Sequence, residues 1–111
     1  MNESRDFISR IRFNKEGLVP VIAQDSATNE VLMLAWMNAE AVQLTIDTRL
    51  GTYFSRSRNK IWVKGEESGN SQAVRSIRAD CDGDALLMIV DQSGPACHTG
   101  NPTCFFDQGI D

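Results

Sequence analysis

The 111-residue chain is the size of one ordinary domain, residues 1–111, and its 41% hydrophobic and 23% charged content excludes disordered, collagen-like and coiled-coil compositions. Eleven basic residues against fifteen acidic ones leave a net charge of −4, which disfavours a non-specific grip on nucleic acid or on an anionic membrane. Met1 to Phe13 carries Glu3, Arg5, Asp6, Arg10 and Arg12 where a secretory signal needs an apolar centre, and the longest apolar run, Val31 to Met37, is too short to span a bilayer, so a cytoplasmic protein is expected.

Phe7, Ile8 and Ile11 follow helical spacing, with Ser4 or Asn2 as the expected cap of a short helix that ends before Gly17. Leu18 to Ala23 reads as a strand, and Pro20, which cannot donate to a ladder, places it at a sheet edge or a bulge. Asp25 to Asn29 is a turn, and Glu30 to Trp36 is an apolar run of strand length. Asn38 then caps a helix from Ala39 to about Leu50, with Ala41, Val42, Thr45 and Ile46 facing inward and Gly51 supplying the left-handed residue that closes it. Thr52 to Arg56 and Ile61 to Lys64 form a hairpin with a polar tip, Ser57 to Lys60, followed by a loop from Glu66 to Asn70. A strand from Gln72 to Asp80 returns through Asp82-Gly83, a strong hairpin signal, into the buried strand Ala85 to Val90. Gln92 to Cys104, with Gly94, Pro95, Gly100 and Pro102, reads as an ordered loop.

Four groups of residues could carry chemistry. Cys81, Cys97 and Cys104 are thiols that a reducing compartment keeps buried, metal-bound or catalytic rather than disulfide-linked. Any one of them alone is more often a small buried hydrophobe. Cys97 and Cys104, however, bracket a Gly/Pro-rich loop with little core to join, and three thiolates suit zinc with its fourth position open. No C-x-x-C pair is present, which argues against a zinc ribbon and a thioredoxin-type redox pair.

Asp80, Asp82 and Asp84 put three carboxylates into five residues, more than a turn needs and a natural site for Mg²⁺. If Asp80 to Asp82 is extended, alternation points Cys81 away from its carboxylate neighbours. His98, the one histidine, is by itself an ordinary surface residue, but beside Cys97 it is placed to move protons at neutral pH. The fourth group concentrates Arg56, Ser57, Arg58, Lys60, Trp62 and Lys64, followed by Ser68, Gly69 and Asn70. This group reads as a solvated hairpin edge, as a phosphate cradle, or, with Tyr53, Phe54 and Trp62, as a stacking surface for single-stranded RNA.

Four stretches carry a resemblance: L-M-L-A-W-M-N (Leu32 to Asn38), S-R-S-R-N-K-x-W-V-K-G-E-x-S-G-N (Ser55 to Asn70), D-C-D-G-D-A-L (Asp80 to Leu86) and G-P-A-C-H-T-G-x-x-x-C-F-F (Gly94 to Phe106). In this order they closely resemble phosphoribosyl-AMP cyclohydrolase of histidine biosynthesis, in its stand-alone form. The resemblance implies an α+β fold: a compact, β-rich domain with few helices, intertwined as a homodimer. It implies zinc on Cys97 and Cys104 of one subunit and Cys81 of the other, Mg²⁺ on Asp80, Asp82 and Asp84, and proton transfer by His98. Glu67 stands where many relatives carry a small hydroxyl residue.

The implied substrate is N1-(5-phosphoribosyl)-AMP, whose N1 substituent makes C6 electrophilic. Zinc lowers the pKa of bound water from about 15.7 toward about 7, so hydroxide attacks C6 and the N1–C6 bond breaks. The substrate phosphates are then expected on the Arg56 to Lys64 segment with Mg²⁺. A small zinc-stabilised RNA-binding module is the alternative from another functional class, and a redox-sensing thiol protein is a third.

Overall fold

The computed structural model describes residues 3–110, with side chains from Arg5 onward. Among these residues two helices and six strands follow in the order α1 (Glu3–Ser9), β1 (Val19–Asp25), β2 (Val31–Met37), α2 (Ala39–Thr48), β3 (Thr52–Ser55), β4 (Lys60–Val63), β5 (Gln72–Ala79) and β6 (Leu86–Gln92). The expected α+β, β-rich class is what forms. Ser4 lies inside α1 and so does not cap it, and Asn2 lies outside the described residues.

The main sheet has the order β2-β1-β6-β5, with β1 antiparallel to β2 and parallel to β6, and β6 antiparallel to β5. Alternation drives it: Val19, Val21 and Ala23 of β1 and Leu86, Met88 and Val90 of β6 are buried on one face. β1 is therefore central, not an edge strand. Pro20 is tolerated because pairing with β6 begins only at Val21, so the proline sits where β1 has β2 as its one neighbour.

The side-chain Oδ1 of Asn38 accepts the N–H of Ala41 at 2.8 Å and caps α2 as expected. The helix ends differently. Arg49 takes the left-handed conformation (φ 63°) and its N–H reaches Thr45 O at 2.8 Å, so Gly51 is not the cap. Gly51 is required by contact: a Cβ there would come within 2.5 Å of Gln72 Oε1. Inside, Thr45 Oγ1 donates to Thr52 O at 3.2 Å and accepts the Thr52 N–H at 3.1 Å, stitching α2 to β3.

β3 and β4 form a separate two-stranded sheet, Ser55 opposite Lys60, joined by the tip 56–59. Beyond β6 the chain turns back along the free edge of β2: Thr103 Oγ1 donates to Val31 O at 2.7 Å, and the Cys104 N–H to Leu32 O at 2.7 Å. These two contacts fix where the carboxyl-terminal thiol arrives. Among the described residues, no helix is long and apolar enough to cross a membrane.

Candidate active site

One wall of a cleft of about 530 Å³ is the β3–β4 hairpin with the loop after it. Ser57, Arg58, Lys60, Trp62, Lys64 and Ser68 line it, and His98 joins them from the far end of the chain. Trp62 is braced from below by the buried Tyr53, ring centroids 5.1 Å apart. Ser55, Glu66 and Glu67 also border the cleft. Glu66 works locally, its Oε1 accepting the Val63 N–H at 2.6 Å.

Three residues singled out in the sequence lie elsewhere. The Arg56 guanidinium covers the Trp36 ring, 4.7 Å from its centroid. The Asn70 carbonyl accepts from Gln92 Nε2 at 3.1 Å, and its side chain packs where any Cβ on Gly94 would stand. Gly69 closes the loop through its N–H to Gly65 O at 2.8 Å. Spacing alone could not separate cleft-facing residues from these braces, because the loop reverses direction between Gly65 and Asn70.

Cys97 and Cys104 meet. The loop between them is held by Ala96 N–H to Pro102 O at 3.2 Å and Cys97 N–H to Asn101 O at 3.1 Å, which brings the two sulfurs near enough for each to bear on the other's proton. The Thr99 hydroxyl donates to Cys97 Sγ at 3.1 Å. That hydroxyl, with the Thr99 amide, the Cys104 thiol and the Lys64 charge, draws the Cys97 pKa down against a burial penalty. Burial and the neighbouring Cys97 push Cys104 up. His98, next in the chain, is exposed.

Cys81 is elsewhere. It is exposed on the β5–β6 turn, in a second cavity of about 470 Å³ with Phe7, Arg10, Arg12, Asp80 and Asp82. Within one chain it does not join the other two thiols: among the described residues, the one set of three metal-ligating groups lying within 4.8 Å of one another is Asp80, Asp82 and Asp84.

This segment is a turn, closed by Asp80 N–H to Ala85 O at 2.9 Å and Gly83 N–H to Asp80 O at 3.1 Å, and not the extended strand end that alternation assumed. Cys81 consequently shares its cavity with Asp80 and Asp82 and is not turned away from them. Gly83 (φ 77°) lets the turn press on the amino-terminal segment, where a Cβ would stand 2.5 Å from Arg10 O. The carboxylates crowd one another: hydrogen bonding to Asp82, then the charges of Asp82 and Asp80, raise the Asp84 pKa. The burial penalty on Asp80 is outweighed by the N–H groups of Asp84 and Ala85, which hold its carboxyl below the usual range.

The donor sets fit the metals that the sequence suggested. Two neighbouring sulfurs, one drawn toward thiolate, suit zinc as a pair of ligands; three converging carboxylates whose repulsion a cation would relieve suit Mg²⁺.

The sequence profile of the family described as phosphoribosyl-AMP cyclohydrolase matches residues 33–106. The chain is similar to the phosphoribosyl-AMP cyclohydrolase of Micrococcus luteus, 58% identical over 100 residues, 90% of this chain and 79% of the relative. It is similar to that of Rhodococcus jostii, 57% identical over 97 residues, 87% of this chain and 85% of the relative. It is also similar to that of Neisseria meningitidis serogroup C, 53% identical over 103 residues, 92% of this chain and 79% of the relative.

Proposed function

The chain belongs to the phosphoribosyl-AMP cyclohydrolase family, the hydrolases of that name in histidine biosynthesis, and from that premise we propose that it opens the adenine ring of N1-(5-phosphoribosyl)-AMP by hydrolysis at C6. The observation that carries the reading is the convergence of His98 with Trp62, Arg58 and Lys60 on one cleft. Cys97 and Cys104, together with Cys81 of the partner subunit, would hold zinc, and Asp80, Asp82 and Asp84 would hold Mg²⁺. Zinc held there would supply a water of lowered pKa as the nucleophile for C6.

The chain's own residues supply the rest. Trp62 offers an aromatic face, backed by Tyr53, against which the purine can lie. Arg58 and Lys60 sit within reach of a phosphate, with Ser57 and Ser68 as hydroxyl donors beside them. His98 takes a proton from the attacking water and returns one to N1 as the N1–C6 bond breaks, so the addition of one water balances the opening. The enzyme acts as a homodimer, a reading supported by the separation of Cys81 from the thiol pair and by apolar surface at Leu34, 47% exposed, and Phe105, 59% exposed.

An RNA-binding role is not favoured: Arg56 is engaged with Trp36 and Lys64 with a backbone carbonyl, which leaves the hairpin two of its expected phosphate contacts short. The test pairs metal analysis with an absorbance assay of ring opening, on the wild type and on Cys104→Ser. Zinc and activity should disappear together in the variant. Full activity in a zinc-free protein would overturn the proposal.

A further inference from the structure

Lys64 lies in the segment that the sequence assigned to substrate phosphates, yet its ammonium is already engaged. Its backbone N–H donates to Gly51 O at 2.9 Å, at the corner where α2 hands over to β3. Its half-buried side chain lines the cleft and ends 2.5 Å from the carbonyl oxygen of Ala96, to which it donates. Ala96 is buried and immediately precedes Cys97. No carboxylate lies within 4.0 Å of this ammonium among the described residues, and its charge acts on both Cys97 and Cys104. Were it to swing onto a phosphate, the Ala96 carbonyl would lose its charged donor, a loss that costs more than an ordinary hydrogen bond.

We infer that Lys64 is a positioning residue for the thiol loop: by clamping the Ala96 carbonyl it sets the approach of Cys97 and ties the substrate hairpin to the thiol pair. The phosphates are thereby left to Arg58, Lys60 and groups outside this cleft wall. The consequence for metal affinity rests on the zinc reading above; the clamp itself does not.

The test compares Lys64→Met, Lys64→Arg and Lys60→Met with the wild type by three measurements. Hydrogen exchange on the metal-free protein reports the Ala96 and Cys97 amides, which bond to Pro102 O and Asn101 O. Competition with a chromophoric chelator, without substrate, reports zinc affinity, and kcat and KM are taken at saturating zinc. Lys64→Met should speed exchange at these amides by roughly tenfold or more. It should weaken zinc about 10–100-fold, as loss of a group that orients a ligand does, and lower kcat more than it raises KM. Lys64→Arg should restore part of each effect, and its partial shifts decide the question if the Met variant does not fold. Lys60→Met should raise KM and leave exchange and zinc affinity alone. A Lys64→Met protein with wild-type exchange and zinc affinity, altered in KM only, would make Lys64 a phosphate ligand and overturn the inference. If the wild type binds no zinc, the metal reading fails, and loop exchange still decides the clamp.

Discussion

The Tyr53 phenol donates to Gln72 Oε1 at 2.5 Å, both side chains fully buried, and this contact joins the β3–β4 hairpin to the main sheet. Gln72 extends it, donating from Nε2 to Gln92 Oε1 at 2.9 Å, while Gln92 Nε2 reaches Asn70 O. The floor under Trp62 is thus fixed by a satisfied polar chain: no buried side-chain nitrogen or oxygen lacks a partner among the described residues.

Tyr53→Phe keeps the ring behind Trp62 and leaves Gln72 Oε1 without its donor. Urea denaturation should show a loss of about 1–3 kcal/mol, with metal content unchanged. The variant should also lose a pH effect. Burial raises the Tyr53 pKa, so below about pH 10 both folded and unfolded phenols keep their proton and its contribution is complete. Above that pH the unfolded chain releases the proton first, so wild-type stability falls with a slope that Tyr53→Phe lacks. Equal slopes in the two proteins would contradict this.

Gly51→Ala attacks the same joint from the other side, since the new methyl would stand 2.5 Å from Gln72 Oε1. Overpacking of this kind costs about 1–3 kcal/mol. Gly109→Ala, where a Cβ meets nothing within 4 Å, should stay within about 0.5 kcal/mol of wild type in the same denaturation series.

His98→Ala should retain zinc while kcat drops by about 10²–10⁴-fold, the usual effect of losing a general acid or base. Asp82→Asn should weaken the response to Mg²⁺ more than it changes zinc content. Metal analysis beside Mg²⁺ titrations of turnover measures both, and the reverse ranking would reassign the two metals.

If zinc is shared between subunits, Cys81→Ala and Cys97→Ala should each be inactive alone yet complement when mixed under exchange conditions. Statistical mixing makes half the dimers mixed, each with one intact site, so roughly a quarter of wild-type activity should return. No recovery, once exchange is demonstrated by mass, would place all ligands within one chain.

Much of this was legible locally. The Asn38 cap, the β3–β4 hairpin and the alternation of β6 follow from residues that determine their own neighbourhood. The centrality of β1 was not, because its parallel pairing with β6 joins residues some 65 positions apart, as Val21 with Leu86, and no local pattern records it. The site divides in the same way. His98 and the cationic tip were readable as chemistry, whereas the capture of Arg56 by Trp36 and of Lys64 by Ala96 depends on contacts 20 and 32 residues distant. Gly51 was assigned to the wrong duty because glycine signals a backbone demand without saying whether that demand is torsional or steric.

The carboxyl-terminal stretch that delivers Cys104 to Cys97 also lies against the outer margin of β2 through Thr103 and Cys104. Peeling it away would unsheathe a run of open main-chain groups flanked by Val31 and Leu34, the kind of border that templates strand addition from a neighbouring molecule. Loosening of this one stretch would therefore turn a loss of activity into a drift toward insoluble self-assembly.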